Sequence, residues 1–340
     1  MGKSLSMFTA GLLIGILLAS GIFAFLLRQN HTGTDGAQSA GMVLKMGHCL
    51  DTTHPVHKSL LHMKKRLEEL SGGKMTIDIY PSGVLGSEVQ CIEQLQNGSL
   101  AMTKTSAAAI ENFIPEMSIF GLPYVFRDSE HYWKVLDGKI GHDLLKLCKK
   151  KFLYGLCYFD AGSRNFYTRN KPVKKPEDLQ GLKIRVQNSQ TAMDMVEAMG
   201  GSPTPISWGE LYSALAQGIV DGAENNPPSF TNNKHYEVCK HFTLDGHTRI
   251  PDMLFISTKV WNRLSQQQRQ WLQQAAGDAS VFERKLWKSE SQKALKEAEK
   301  NGVTVYHVDT SLFAEKVKPM LENVKNPKIK TLLKDIKEVK

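Results

Sequence analysis

The sequence lacks the short motifs that mark the common catalytic sites. It contains no Gly-x-Ser-x-Gly nucleophile elbow, no P-loop and no dinucleotide-binding fingerprint. Three histidines occur between residues 54 and 62, but their spacing is not that of a zinc protease, and we interpret them as part of a partly exposed amphipathic helix. We therefore predict a protein that is not an enzyme and has no metal or cofactor. Convergence of Glu88, Glu116 and Glu224 into a catalytic site is the alternative that stays open.

Cysteine is scarce and is not arranged for metal binding. None of the cysteines forms a C-x-x-C pair or has a second cysteine close enough for a metal knuckle. We predict buried, inert thiols. One structural disulfide in an oxidising compartment stays open as well, because spacing alone cannot choose the pair. The cysteines are Cys49, Cys91, Cys148, Cys157 and Cys239.

Positive charge is in excess but is not gathered in one stretch of the sequence. The formal net charge is +9, with 43 Lys and Arg scattered among 34 Asp and Glu. A nucleic-acid-binding protein should show a basic stripe or a recognised motif. Neither is found, so we predict no nucleic-acid partner. The surplus is typical of a solvated surface with a mild attraction for anionic solutes.

Charged residues are also missing from a long stretch near the N-terminus. After Lys3, the run Leu5–Leu27 is uncharged and mostly apolar. It is long enough to span a bilayer core and longer than the apolar region of a usual signal peptide. No lipobox cysteine is present, and the nearest small-x-small cleavage signal, at 37–39, lies well past the run. We predict an uncleaved anchor over 1–28 and a linker over 29–41, with a removed signal as the alternative; either way the remainder is exported.

Strand and helix signals alternate through the rest of the chain. A helical periodicity over 55–70, with cap candidates at 51–53, is followed by a strand over 75–80. The next helix begins at Ser87 with a Ser-x-x-Gln capping box and ends at Gly98. This order of elements is typical of an α/β fold.

The same alternation returns later and predicts a second α/β lobe. A strand over 182–186 precedes a helix capped by Ser189, and a second capping box at 207–210 opens a helix that ends at Gly218. A charged helical pattern over 265–301 follows. Its length would let this helix lie across both lobes.

Two arginines occur where a ligand site is expected. In open α/β sheets, ligands bind beyond the carboxyl ends of the strands. Arg185 lies near the end of an apolar strand, and Arg164 lies between apolar and aromatic neighbours. A guanidinium group in such a place needs a partner, and its planar shape suits a carboxylate. A bound organic acid would satisfy both arginines, and an internal ion pair with an acidic residue is the alternative.

Three further polar or aromatic residues are candidates for the same site. Asn225 and Asn226 follow a strand and precede two prolines, so a stiff loop would present two amides to ligand oxygens. Formation of the turn explains such a sequence equally well. Trp208, near a helix start, would stack on a sugar ring or pack in the core.

Several ordered motifs resemble one family of solute receptors. They are G-S-R-N-F-Y from residue 162, G-L-K-I-R-V-Q-N from residue 181 and P-T-P-I-S-W-G-E-L-Y-S-A-L-A-Q-G-I-V-D-G-A-E-N-N from residue 203. With Tyr80-Pro81-Ser82 and the run from Leu85 to Glu88, they are similar to the DctP family, the receptors of tripartite ATP-independent periplasmic (TRAP) transporters. The resemblance spans roughly residues 44 to 310.

This resemblance implies a two-lobe periplasmic-binding-protein fold, type II-like, with a hinge and a long helix that bridges both lobes. The implied boundaries are 42–161 and 251–290 for lobe I, and 162–250 and 291–340 for lobe II. It also implies a small carboxylate ligand, membrane subunits of a TRAP transporter as partners, and a monomeric receptor in the periplasm.

The resemblance also implies roles for individual residues. In the family, the position of Arg185 clamps the ligand carboxylate, with the positions of Arg164 and Asn225 assisting. The aromatic residue at the position of Trp208 often lines the pocket.

The ligand class follows from the same comparison of motifs. Glu88 and Asn226 resemble positions of members that bind sugar acids, which makes a hexuronate or related sugar acid the predicted ligand. The run Ala101-Met102-Thr103-Lys104 stands where many members carry an aspartate, and this departure indicates a pocket particular to a subgroup. A receptor for a four-carbon dicarboxylate, and a membrane-tethered lyase or hydrolase of sugar acids, are the alternatives.

Overall fold

Two mixed β-sheets, each flanked by helices, organise residues 41–340, the part of the chain that this computed structural model describes. The predicted anchor over 1–28, and the linker up to residue 40, lie outside these residues. Within 41–340, no helix combines the length and apolar character that a membrane span requires.

The first sheet has five strands. They are β1 (Met42–Gly47), β2 (Met75–Tyr80), β3 (Met102–Ser106), β4 (Leu153–Phe159) and β10 (Asp252–Ser257). Their order across the sheet is β2-β1-β3-β10-β4. Strand β10, far along the chain, lies antiparallel between β3 and β4.

The second sheet has six strands. They are β5 (Asn165–Thr168), β6 (Lys183–Val186), β7 (Ser202–Pro205), β8 (Gly222–Asn225), β9 (His241–Leu244) and β11 (Thr304–His307). Their order is β11-β9-β5-β8-β6-β7. Strand β6 is parallel to both β7 and β8, so the carboxyl ends of these three strands meet at one edge. Strand β5 runs antiparallel to β8 and β9.

The α-helices of residues 41–340 lie mostly between the strands. They are α1 (Pro55–Ser71), α2 (Glu88–Asn97), α3 (Ala107–Ile110), α4 (Ser129–Asp137), α5 (Lys139–Leu147), α6 (Gln190–Ala198), α7 (Trp208–Gln217), α8 (Pro227–Asn232), α9 (Thr258–Arg263), α10 (Gln266–Lys300), α11 (Thr310–Glu322) and α12 (Pro327–Glu338). The two sheets with these helices confirm the predicted two-lobe α/β class.

Helix ends follow the sequence signals in most places. The Ser87 capping box of α2 is present, Ser189 caps α6, and Gly218 ends α7 in the left-handed conformation that favours glycine. Two predictions were wrong. Helix α1 is capped by the His54 imidazole, which accepts from the N–H of Val56, because Pro55 sets the first helical position. The Ser207 hydroxyl makes no capping bond.

The long helix α10 is present and packs on elements of both lobes, as predicted. Its 35 residues give a length of about 50 Å. It packs against α1 and β4 beside the first sheet, and against α8 and β11 beside the second. Small buried residues such as Ala275, Ala276 and Ala279 allow close approach to its neighbours.

The last two helices pack on different lobes. Phe313 and Val317 of α11 join the core beside the second sheet. In contrast, Ile329, Leu333 and Ile336 of α12 join the core of the first lobe. The predicted boundary placed all of 291–340 in lobe II. It is wrong for α12, because the apolar face of that helix packs into the core of the first lobe beside α5.

Candidate functional site

A cleft between the two sheets brings together all six predicted ligand-binding residues. Its interatomic space is about 730 Å³, including the solvent at its open mouth. The carboxyl ends of β3, β6 and β8 border it, which is where an open α/β sheet places a ligand. The predicted residues in its wall are Glu88, Arg164, Arg185, Trp208, Asn225 and Asn226.

Arg185 is the buried cation of this cleft that lacks a carboxylate partner among the described residues. Its side chain is 2% exposed. Nε donates to the carbonyl of Ile206 at 2.8 Å, and Nη1 is buried with no hydrogen-bond partner among residues 41–340. The guanidinium lies 5.8 Å from the ring centre of Trp208, within cation–π range. Burial lowers the pKa of Arg185 to about 10, so the group is still protonated at neutral pH.

Arg164 is already neutralised by the protein. It forms a buried ion pair with Glu224 of β8, in which Nη2 donates to Oε1 at 2.8 Å and Nε donates to Oε2. Its Nη1 donates to Asn225 Oδ1 at 2.9 Å. The prediction that two guanidinium groups grip the ligand by charge is therefore corrected: an internal ion pair takes up the charge of Arg164, because β5 and β8 pair in a register that brings Glu224 beside it.

The hydrogen bond from Arg164 orients the side-chain amide of Asn225 toward the cleft. Asn225 Oδ1 accepts from Arg164 and from the N–H of Asn226 at 2.9 Å, so its amide nitrogen is left as the donor. Asn226 Oδ1 caps α8 by accepting from the N–H of Ser229 at 2.8 Å. Both asparagines thus use their oxygens within the protein.

A buried chain of charges continues from Glu224 away from the cleft. His247 Nε2 lies 3.4 Å from Glu224, and its Nδ1 lies 2.6 Å from Asp245. Burial alone would lower the pKa of His247, but the two carboxylates raise it to about 9. Burial alone would raise the pKa of Glu224, but Arg164 and His247 lower it to about 2. This chain fixes the position of Arg164.

The wall contributed by the first lobe is acidic, although it holds a lysine. Lys104 is 3% exposed, and its Nζ lies 3.0 Å from Asp252 and 3.4 Å from Glu88. Burial alone would lower the pKa of Lys104, but the two carboxylates raise it. The N–H of Ser106 donates to Glu88 at 3.0 Å. One lysine between two carboxylates leaves acceptor oxygens on this side. Lys104, the last residue of the run 101–104 that departs from the family pattern, therefore lies within the cleft.

Sequence reasoning missed several residues of the cleft. Gln187 directly follows β6, and its Oε1 is buried without a partner among residues 41–340. His54 Nε2 lies 3.2 Å from Ser229 Oγ and joins the start of α1 to α8. The rule about strand ends would have found Gln187. No local signal marks His54, because its place depends on tertiary packing.

Two structural interpretations from the sequence need correction. His54 and His57 are 1% and 7% exposed, so they do not lie on a partly exposed face. Glu116 binds Lys328 at 2.8 Å and is not part of the cleft, so the three glutamates do not converge. Within the described residues, no three side chains of suitable type form a metal site.

The cysteines confirm the expectation of unpaired thiols. All five are free, and four are buried. Cys49 is half-buried and lines the cleft, and burial raises the pKa of its thiol to about 12. A thiol with this pKa is protonated and unreactive at neutral pH.

Comparison with known proteins decides the family. The model of the bacterial extracellular solute-binding proteins, family 7 (DctP), matches residues 46–327. The chain belongs to this family. The C4-dicarboxylate-binding periplasmic protein DctP of Rhodobacter capsulatus is 30% identical over 267 residues, which cover 78% of this chain and 80% of that protein.

Solved structures of TRAP solute-binding proteins are similar in fold. The protein of Xanthobacter autotrophicus with bound β-D-galacturonate is 34% identical, covers 87% of this chain and 100% of its own, and has a TM-score of 0.85. The protein of Anaerococcus prevotii with bound D-glucuronate is 36% identical, covers 88% and 98%, and has the same TM-score. The DctP-family protein described here is thus an extracytoplasmic solute-binding protein and not an enzyme.

Proposed function

We propose that this DctP-family protein binds a sugar monocarboxylate, a hexuronate or a related acid, and delivers it to the membrane subunits of a TRAP transporter. The observation that carries the proposal is the unpaired, buried Nη1 of Arg185 in the cleft. A ligand carboxylate would satisfy this donor, and charge-assisted hydrogen bonds are the strong ones. The amide of Asn225 and the ring of Trp208 would complete the contact from the second lobe.

The balance of charge favours one carboxylate over two. On the second lobe, Arg164 and Glu224 neutralise each other, and Arg185 adds one positive charge. On the first lobe, Lys104 lies between Glu88 and Asp252. A polyhydroxy acid would place its carboxylate on Arg185 and donate its hydroxyls to the acidic wall. A four-carbon dicarboxylate would place its second carboxylate against that wall without a free cation.

Closure of the cleft around the ligand follows from the same arrangement. A ligand that touches Arg185 on one lobe and Glu88 on the other is bound more tightly in the closed form, and it shifts the population toward that form. The membrane subunits would recognise the closed form. The ligand-binding roles of the six residues and the lobe boundaries, with α12 reassigned to lobe I, are part of this proposal.

A panel of acids tests the proposed ligand class by thermal unfolding. We expect D-glucuronate or D-galacturonate to stabilise the protein by about 2.7 kcal/mol at a hundred times its dissociation constant. Glucose, which lacks the carboxylate, should give no shift, and succinate and malate should give little. A larger shift with succinate than with either hexuronate would contradict the monocarboxylate assignment and favour the dicarboxylate alternative.

We also infer that residues 1–28 remain as a membrane anchor on a monomeric receptor. The uncharged run Leu5–Leu27 and the lack of a nearby cleavage signal support this. In a bacterial host, the full chain should stay with membranes through alkaline carbonate washing, and its intact mass should include the first residues. Release into the soluble periplasmic fraction, with an N-terminus near residue 40, would instead establish a removed signal.

A further inference from the structure

The fold gathers eleven lysines, which account for most of the net positive charge, on one face of the first lobe. Two segments form this face, which we call the lysine face: residues 139–151 and residues 325–340. They contain eleven lysines, no arginine and three acidic residues, which is a net charge of +8 out of the total of +9. The surplus of positive charge comes from separate parts of the sequence, but the fold concentrates it in space.

Packing brings the two segments together. Leu144 and Cys148 from the first segment share a core cluster with Ile329, Leu333 and Ile336 from the second. Helices α5 and α12 are therefore neighbours, and the charges of the two segments interact.

Contacts between charged groups show the same proximity. Glu116 binds Lys328 at 2.8 Å and also experiences the charge of Lys150, and Lys139 experiences the charge of Asp335. The lysines themselves are exposed to solvent: Lys139, Lys146, Lys149, Lys150, Lys151, Lys325, Lys328, Lys330, Lys334, Lys337 and Lys340.

An exposed aromatic side chain lies at the border of the lysine face. Phe152 directly follows Lys151 and is 54% exposed. Its backbone has a φ of 62°, in the left-handed region that bulky residues rarely adopt. An aromatic ring held out beside a row of lysines is the combination that favours the interface of a membrane.

We propose that the lysine face docks on the anionic headgroups of a phospholipid membrane surface. Each lysine near such a surface contributes attraction, and clusters of four to eight are sufficient for binding. Lysine dominates this face, and Arg127, which donates to the carbonyl of Val339, is an exception. This composition favours lipid over a protein partner, since protein interfaces are enriched in arginine and depleted in lysine, whereas a strongly hydrated ammonium suits a diffuse anionic layer. The proposal does not depend on the identity of the solute.

Lysine labelling on vesicles tests this orientation with the full chain. The protein is reconstituted in vesicles of phosphatidylcholine alone, or with about a third phosphatidylglycerol, and acetylated by an amine-reactive ester. We expect Lys330 and Lys337 to be labelled about tenfold more slowly on the anionic vesicles, and high salt to abolish the difference. The exposed lysines Lys171 and Lys183, which belong to the second lobe, serve as internal controls and should be labelled equally on both.

Two variants make the test specific. In Lys150→Glu/Lys151→Glu, the slowing at Lys330 and Lys337 should fall below about twofold, because the substitutions remove four units of charge. In Phe152→Asn, the slowing of labelling should weaken, because the aromatic ring is removed. Asparagine suits the left-handed backbone, so the fold should be kept. Equal labelling on both vesicles, equal slowing at the control lysines, or slowing that persists in the charge-reversed variant would overturn the proposal. Slowing that requires added transporter subunits would overturn it in favour of a protein partner.

Discussion

Replacement of Arg185 by methionine is expected to lower the affinity for a hexuronate by about a hundredfold or more. The substitution removes a guanidinium whose Nη1 has no partner among residues 41–340 and lines the cleft. Charged hydrogen bonds contribute about 1.5 to 3 kcal/mol each, and 1.4 kcal/mol corresponds to a factor of ten. Titration calorimetry of the wild type and Arg185→Met with D-glucuronate and D-galacturonate measures the change.

Stability of the ligand-free protein separates a binding role from a structural one. Arg185 is a buried cation without a carboxylate partner, so its replacement by an apolar side chain of similar length should not lower the unfolding temperature. Arg164→Met should lower it, because Glu224 would be left buried with only the more distant His247 as a cationic partner. Arg263→Ala, at an exposed position, should change neither quantity. Unchanged affinity in Arg185→Met would remove this residue from the site.

Stability should fall at alkaline pH because His247 is bound as a cation between Glu224 and Asp245. Its pKa is about 9 in the folded protein and 6.5 as the ordinary value. A raised pKa means that the contribution is fully present below pH 6.5 and is lost as the pH rises through about 9. The shift corresponds to a loss on the order of 3 kcal/mol. Urea unfolding across this pH range measures it.

A histidine substitution isolates this contribution from other titrating groups. In His247→Gln, the amide hydrogen-bonds but does not titrate, so the difference in unfolding free energy across this pH range should largely disappear. His62→Gln, on α1 and outside the charge chain, should keep the wild-type dependence. If His247→Gln retains the full dependence, the buried chain does not hold a proton as described.

The sequence predicted local structure and the family well, and individual contacts less well. Capping at Ser87 and Ser189 and the extent of the long helix follow from signals within a few residues. The partners of Arg164 do not, because Glu224 lies sixty residues away and reaches it only through the pairing of β5 with β8. The sequence predicted that both arginines are buried. It could not predict which of the two remains without a carboxylate partner.

Long-range packing also explains the other differences. The predicted boundary failed at α12, because the contact between α12 and α5 joins segments about 190 residues apart that share no local signal. The lysine face was missed for the same reason, since each of its segments alone is an ordinary solvated helix. The run 101–104 was singled out from the pattern of the family, but the two carboxylate partners of Lys104 became known only from the structure.

The position of β10 has a consequence for how the chain acquires its fold. Strands β3 and β4 each need β10 as a neighbour, and β10 is the last of the five strands to be synthesised. A nascent chain that ends before residue 252 therefore carries unpaired strand edges, which favour aggregation. The residues before β10 therefore lack a strand that the first sheet contains. Maturation of the first lobe has to wait for the whole intervening second-lobe segment, and this high contact order predicts slow folding.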